Sequence, residues 1–418
     1  MKKTLMSLSL ILIAALALTG CYDWPDPIWV DGPGATVPTI TGVSSTTLLG
    51  GIENVTISGT GFGTVAEELL VYYKKGTTVG RGRTLSATDT ELIVEAPAVY
   101  SDSLELWIDK RGCFEFAKYD TILTTITEGV NSAPIIAVNP LVQVAINESG
   151  NMIVAEASSK NLREYTMEDT LNVFASVVFS NAKNVDALRA KGTTVYYSLR
   201  EYVCTVNDGV FVKATDRHKM NSDKEYCYDI LFADNNKAYF PSNGKIYSGE
   251  ADLSATGATL EDANFAFGKG NFYDGKIYMA ATYLGVDTLL SSDSLKTGEK
   301  VIAAYAVNAD GTLGNVEIVI NWTNDFAGST IADITFDNED RMYVATVTQT
   351  PIYIIEPLAG AYNDGNVSLL YPVLMDEMVV SMNWDAGDYM AVITENADGA
   401  RTAKRIDMTK TASPSYIP

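Results

Sequence analysis

The strongest constraint on this chain is an internal repeat between residues 129 and 418. A polar turn followed by a short apolar strand recurs as ESGNMIVAE, GTTVYYS, DNNKAYFP, YDGKIYMAA, NEDRMYVAT and DAGDYMAVI. The strands centre on Ile153, Tyr196, Tyr239, Tyr278, Tyr343 and Met390, at intervals of 43, 43, 39, 65 and 47 residues. A partner strand precedes each turn (LVQVAIN, FASVVFS, YDILFAD, NFAFGKGNF, IADITFD, VVSMNWD), and a third follows (LREYTM, VFVKAT, KIYSGE, IAAYAV, PIYIIEP, AKRIDM). Asp208-Gly209, Asn243-Gly244, Asp274-Gly275 and Asp398-Gly399 sit at or between these strands, as hairpins require. Six antiparallel meanders of this length predict a six-bladed β-propeller. A seven-bladed ring, with one blade inside the 278–343 interval, is the alternative, as is a pair of stacked sandwiches. Residues 284–300 read as one long inserted loop, and 184–192 (NVDALRAKG) as a short helix. Residues 131–138 are expected to close the ring as an extra strand of the last blade.

Residues 38–128 carry a different pattern. The runs NVTISGTGF, ELLVYYKKG, TELIVEAP and SLELWIDKRG are rich in Val, Ile, Thr and Tyr and alternate with turns, which indicates a β-sandwich. VPTITGVSSTTLLGGIENVTISGTGFGT and the later TLSATDTELIVEAPA resemble the two halves of an IPT/TIG domain, an immunoglobulin-like fold. In one departure, Lys and Arg in YYKKGTTVGRGRT stand where the family has small residues. The triple glycine of TISGTGFGT does not read as a phosphate loop. A dinucleotide fingerprint needs G-x-G-x-x-G between a strand and a helix, whereas Thr64 stands at the sixth position and VAEELLVYYKK runs on into a strand. The glycines are expected to turn the chain, with Phe62 tucked into the core. Trp107, in LELWID, is expected in the same core.

The N-terminus opens MKKTLMSLSLILIAALALTGC, with two lysines before an apolar run shorter than the ~20 residues of a bilayer span. This is an export signal over residues 1–20. Leu18-Thr19-Gly20-Cys21 resembles the bacterial lipobox, which implies a diacylglycerol anchor on Cys21 and hence a membrane partner. Tyr22, rather than an acid, follows the cysteine and favours the outer membrane. Residues 21–37, with Trp24 and Trp29, read as a flexible tether. Cleavage removes Lys2 and Lys3 and no acid, taking the net charge from −22 to −24. A body so acidic excludes nucleic acid as a partner. An oxidising exterior allows a Cys204–Cys227 disulfide with Cys113 as a buried filler, two unpaired thiols being the alternative.

Chemistry is sparse. His218 is the single histidine and lies in the polar run ATDRHKMNSDKE, so it reads as a solvated loop residue and no catalytic residue is assigned. Glu156, Asp229, Asp333 and Asn383 lie on or beside expected inner strands, where they could converge on an axial Ca²⁺. Trp322, Trp384, Tyr165, Tyr273 and Tyr283 are candidates for a sugar platform. Trp322, in the polar stretch NWTNDFAG, is expected to be the most exposed of them.

The glycine–hydrophobic–Tyr–hydrophobic–Ala strand resembles NHL- and SMP-30-like propellers, some of which are metal-dependent lactonases. Five Asp-Ser/Thr-Leu/Ile tripeptides, such as Asp102-Ser103-Leu104, resemble a Bacteroidota O-glycosylation pattern. The expectation is an all-β, outer-membrane lipoprotein with an Ig-like spacer and a six-bladed propeller. Its propeller would bind a glycan or an envelope protein, without catalysis. A calcium-dependent propeller hydrolase, lactonase or lyase is the competing reading, and a structural adhesion protein the third.

Overall fold

The structure, a computed structural model, describes residues 36–413 apart from 98, 128, 133–138, 148, 158–160, 169–170, 177–184, 193, 200–201, 208–216, 220–225, 254–255, 287, 291–292, 327–328, 349–351, 359, 371–376 and 385–386. The segment expected to be an export signal, Cys21 and almost all of the expected tether, including Trp24 and Trp29, lie outside the described residues. The chain divides into two compact units, Met1–Thr127 and Glu128–Pro418.

The first unit is an antiparallel sandwich with one parallel edge pair. Thr39–Val43, Asn54–Thr60 and Glu91–Glu95 form one side, and Leu69–Lys75, Ser101–Lys110, Ala117–Thr127 and Thr47–Leu49 the other. Thr78–Ala87 joins them, its first half pairing with Leu69–Lys75 and its second with Glu91–Glu95. Strict alternation sends Val55, Ile57, Val71, Tyr73, Leu92, Val94, Leu106 and Ile108 inward, where the core forms. Each such side chain gains ~1.5–3 kcal/mol on full burial.

TISGTGFGT is a turn, as expected. Gly61 and Gly63 take φ of +77° and +86°, and a Cβ on Gly59 would lie 2.0 Å from the Thr39 carbonyl oxygen. Phe62 is buried in the core, and Lys110 Nζ donates to the Gly61 carbonyl at 2.6 Å. Trp107 departs from expectation. Leu104, Leu106 and Ile108 take the inward positions of its strand, so period-2 alternation turns Trp107 outward, half-buried. There Lys74 and Lys118 each place an ammonium 4.1 Å from its ring centroid.

In the second unit the described strands group into six antiparallel meanders. Four are separate four-stranded sheets, one of which pairs Met378–Asn383, Tyr389–Glu395 and Arg401–Asp407 with Val130–Ser132. That last pairing brings the start of the unit onto its final meander. It overlaps the segment expected to close the ring at residues 131 and 132, while 133–138 lies outside the described residues. The remaining two meanders share a six-stranded sheet because Lys237–Glu250 and Thr256–Tyr273 are long enough to serve in more than one strand position. Residues 256–266 pair with Lys237–Glu250, and residues 265–273 open the next meander against Lys276–Tyr283.

Every expected repeat centre, from Ile153 to Met390, falls on a strand paired to the first strand of its meander. The first strands touch one another around an axis. Leu141–Ile146 meets both Ala187–Lys191 and Met378–Asn383, and Ile331–Phe336 meets both Thr256–Tyr273 and Met378–Asn383. Shared apolar clusters close the remaining joints, through Ala187, Tyr196, Phe232 and Phe240, and through Leu231, Tyr239, Phe265 and Tyr283. The unit is therefore a β-propeller. Within the long 278–343 interval the inserted segment forms a small hairpin, Thr288–Leu290 against Asp293–Leu295.

Three local expectations change. Residues 187–191, expected in a helix, form the first strand of the second meander. The third strand of that meander is Tyr202–Asn207, and the whole of the expected VFVKAT strand lies outside the described residues. His218, expected in a loop, lies on Arg217–Lys219 with its backbone paired to Val203.

Candidate functional site

Four of the propeller's first strands break register near their beginnings. Pairing skips Val142 between Leu141 and Gln143, Gly268 and Lys269 between Phe267 and Gly270, Ala332 between Ile331 and Asp333, and Val380 between Val379 and Ser381. A bulge leaves its residue unpaired and re-aims the side chain. All five skipped residues line one cavity of about 410 Å³ at the starts of these strands. Gln143, Asp186, Tyr228 and Arg401 complete its polar lining, so residues from all six meanders reach it. Gly270 makes the approach possible, because a Cβ there would lie 2.2 Å from the Tyr278 carbonyl oxygen.

Lys269 Nζ donates to Gln143 Oε1 at 3.1 Å and to the Asp186 carbonyl at 2.9 Å. Ser381 Oγ donates to the same Gln143 oxygen at 3.2 Å. A second cavity of about 250 Å³ adjoins the first, the two sharing Tyr228, Gly268, Ala280 and Ile331. Together they form a cleft with Tyr228 at the junction. Tyr228 is 36% exposed, and its ring stacks on Tyr226, with centroids 6.5 Å apart and planes 11° from parallel.

Beneath the cleft lies a buried ionic centre. Arg189 Nε and Nη2 donate to the two carboxylate oxygens of Asp229 at 3.0 and 2.7 Å, a bidentate pair. Arg189 Nη2 also donates to the Gly270 carbonyl at 2.8 Å and lies 3.7 Å from Asp333 Oδ1. The backbone N–H groups of Ile230 and Gly270 donate to Asp229 at 2.8 and 2.9 Å. Burial pushes the Asp229 carboxyl up, but Arg189, Lys269 and these hydrogen bonds outweigh it and hold the group below its ordinary value. Asp333 goes the other way. Burial and the neighbouring Asp229 charge push it up to about 7, against the opposing pull of Arg189 and Lys269.

The residues expected to hold a divalent ion are thus partly brought together, around a different cation. Asp229 and Asp333 meet on Arg189, whose guanidinium takes the place expected for Ca²⁺. Glu156 is engaged by Arg163 at 2.6 Å, and Asn383 Oδ1 accepts from the Ile146 N–H at 2.9 Å. Among the described residues no group of three His, Cys, Asp or Glu is placed to hold a metal ion.

The expected aromatic platform is also corrected. Trp322 is fully buried, not exposed; it begins the four-residue helix Trp322–Asp325, stacks on Phe326 at 4.0 Å and donates Nε1–H to Ser329 Oγ at 2.6 Å. Trp384 is buried edge-on to Tyr343 at 5.3 Å. Tyr165 and Tyr283 are buried, the first beside the Arg405 guanidinium and the second against Phe265. Tyr273 is half-buried over Phe336, four residues beyond Lys269 at the end of the same strand, and its hydroxyl donates to Asp340. These rings fill the joints of the propeller. The aromatic that does face the cleft is Tyr228, which directly precedes Asp229 in what reads from sequence as a plain strand.

The cysteine expectations are corrected as well. Cys204 and Cys227 are thiols in different core clusters, not a disulfide. The Cys227 thiol donates to the Asp229 carbonyl at 3.1 Å, and burial pushes its ionisation up. Cys113 is half-exposed rather than a buried filler.

A comparison with curated proteins finds no sequence match. Solved structures that resemble the chain include a structural-genomics protein of unknown function from Bacteroides thetaiotaomicron, at 12% identity over 90% of this chain and 99% of that one, with TM-score 0.47. An auxiliary nutrient binding protein from the same organism matches at 12% identity over 88% and 97%, TM-score 0.45. Virginiamycin B lyase from Staphylococcus aureus matches at 8% identity over 73% and 92%, TM-score 0.44. At these scores the likeness says nothing about activity, and the propeller rests on the pairing and ring contacts described above. Residues 38–126 match the model of the IPT/TIG domain, so the chain carries an IPT/TIG domain followed by a β-propeller.

Proposed function

We propose that this is an outer-membrane-anchored lipoprotein whose propeller binds a glycan in the central cleft, without catalysis, the IPT/TIG domain acting as spacer. The observation that carries the binding reading is Tyr228. It presents an exposed ring at the junction of two cavities, beside side chains that can donate and accept hydrogen bonds. Sugar ring C–H faces bury well against such a surface, and Gln143, Asp186 and Lys269 suit hydroxyl groups. The absence of catalysis is favoured because Asp229 and Asp333, the buried acids nearest the axis, are held by Arg189 below the cleft.

Calorimetry of the full chain in detergent against a panel of oligosaccharides tests the reading. At least one glycan is expected to bind, and Tyr228→Ala to weaken it roughly tenfold, ~1.4 kcal/mol. Failure of every saccharide to bind, or EDTA-sensitive turnover of a lactone or polysaccharide, would overturn it. The anchor has its own test. Cys21→Ala is expected to move the protein from the membrane to the soluble fraction, and retention in the membrane would refute lipidation.

A further inference from the structure

The cleft carries a charge opposite to that of the protein. The chain as a whole has a net charge of −22. The lining of the two adjoining cavities nevertheless contains Lys269, Lys300 and Arg401 against one carboxylate, Asp186. Arg401 is committed, through Nε to Glu395 at 2.5 Å and through Nη1 to the Leu141 carbonyl at 2.7 Å. The two lysines are not. Lys269 is held by the Gln143 amide oxygen and a backbone carbonyl, and Lys300 by Thr330 Oγ1 at 2.6 Å and the Ser329 carbonyl at 3.4 Å. Among the described residues neither ammonium forms an ion pair.

Neutral acceptors fix an ammonium in place without cancelling its charge. An ammonium has three N–H groups, so each lysine retains one beyond the two bonds it makes here. A half-buried cation with no directly paired counterion is costly, and an anionic oxygen relieves that cost with a charge-assisted hydrogen bond. Asp229 and Asp333 in the ionic centre below attract Lys269 electrostatically, but neither carboxylate hydrogen-bonds to its ammonium, and Asp229 is already bidentate to Arg189. Lysine behaves as a point charge rather than a planar fork, so it accepts carboxylate and sulfate geometries alike.

We infer that the cleft selects a saccharide bearing an anionic substituent, a carboxylate or a sulfate ester, received by Lys269 and Lys300 while Tyr228 takes a sugar face. This rests on the glycan-binding reading and names the class of glycan. The contrast with the net acidic chain adds discrimination, because its overall negative charge disfavours an anionic ligand away from local cationic sites.

The experiment compares the full chain's affinity for an oligogalacturonate, a sulfated oligosaccharide and a neutral malto-oligosaccharide of matched length. An anionic ligand is expected to bind at least tenfold more tightly than the neutral one, with affinity falling as NaCl rises from 50 to 500 mM. The carboxylated and sulfated arms distinguish the two substituents. Lys269→Met and Lys300→Met should each reduce the anionic-to-neutral affinity ratio several-fold, and the double variant should abolish it. Lys269→Arg, which keeps the charge, should retain most of the ratio. Neutral saccharides bound as tightly as anionic ones would overturn the inference and leave the glycan reading standing. A ratio unchanged in the double variant would also overturn it, and no binding in any arm would overturn both.

Discussion

Arg189→Ala is expected to destabilise the propeller by about 3–5 kcal/mol, read as a fall in the urea midpoint with little change in slope. The Arg189 side chain is 4% exposed, Asp229 is fully buried and Asp333 is 3% exposed. Removing the guanidinium strands two carboxylates in a medium that cannot solvate them. Asp229 keeps the N–H groups of Ile230 and Gly270, but Asp333 keeps only those of Ile334 at 2.9 Å and Met382 at 3.4 Å, beside an uncompensated negative neighbour. The penalty should be smaller at pH 5 than at pH 8, because protonation removes the stranded charges. A cost independent of pH, or below 1 kcal/mol, would contradict the assignment of Arg189 as the counter-charge.

The native protein should carry a related slope. Asp333 has a folded value near 7 against an ordinary 3.8, so between those values the folded chain holds the extra proton. Stability from this group is therefore lost as pH rises from about 4 through 7. Asp333→Asn is expected to flatten that part of the profile.

Trp322→Ala is expected to cost a further ~3–5 kcal/mol, the range for deleting a buried large aromatic. The ring belongs to the apolar cluster shared by the fourth and fifth meanders, with Ile302, Ile334, Val344 and Ile355. It stacks on Phe326 and meets Tyr353 edge-on at 5.5 Å, so truncation empties a joint of the ring as well as a rotamer. Trp322→Phe should recover most of the loss, leaving roughly 1–2 kcal/mol for the missing Nε1–H donor and the residual space. If Trp322→Ala instead left stability unchanged while weakening glycan binding, the burial described above would be wrong and the exposed-platform expectation restored.

Much of the fold was readable from local pattern. The polar turns before Ile153, Tyr239, Tyr278, Tyr343 and Met390, and the alternation in NVTISGT and ELIVE, follow from which face of a strand meets water. Residues 187–191 show where that reading fails. Ala-Leu-Arg-Ala-Lys has high intrinsic helix propensity, yet the chain uses it as a strand because strands of the first and second meanders flank the space it must fill. The misreading concealed Arg189, and with Arg189 went the explanation of Asp229 and Asp333. The polar neighbours of Trp322 misled in the same way, since they describe the helix surface and not the direction of the indole.

The sequence by itself determined the all-β class, the IPT/TIG segment and the repeat. Those properties depend on spacing and polarity, which act between near neighbours in the chain. Only the tertiary structure decided that the acids close on a guanidinium, that the tryptophans seal joints, and that register breaks turn Lys269 into a cleft beside Tyr228. Each depends on which side chains from distant meanders occupy the same few ångströms, and burial there sets both charge state and exposure.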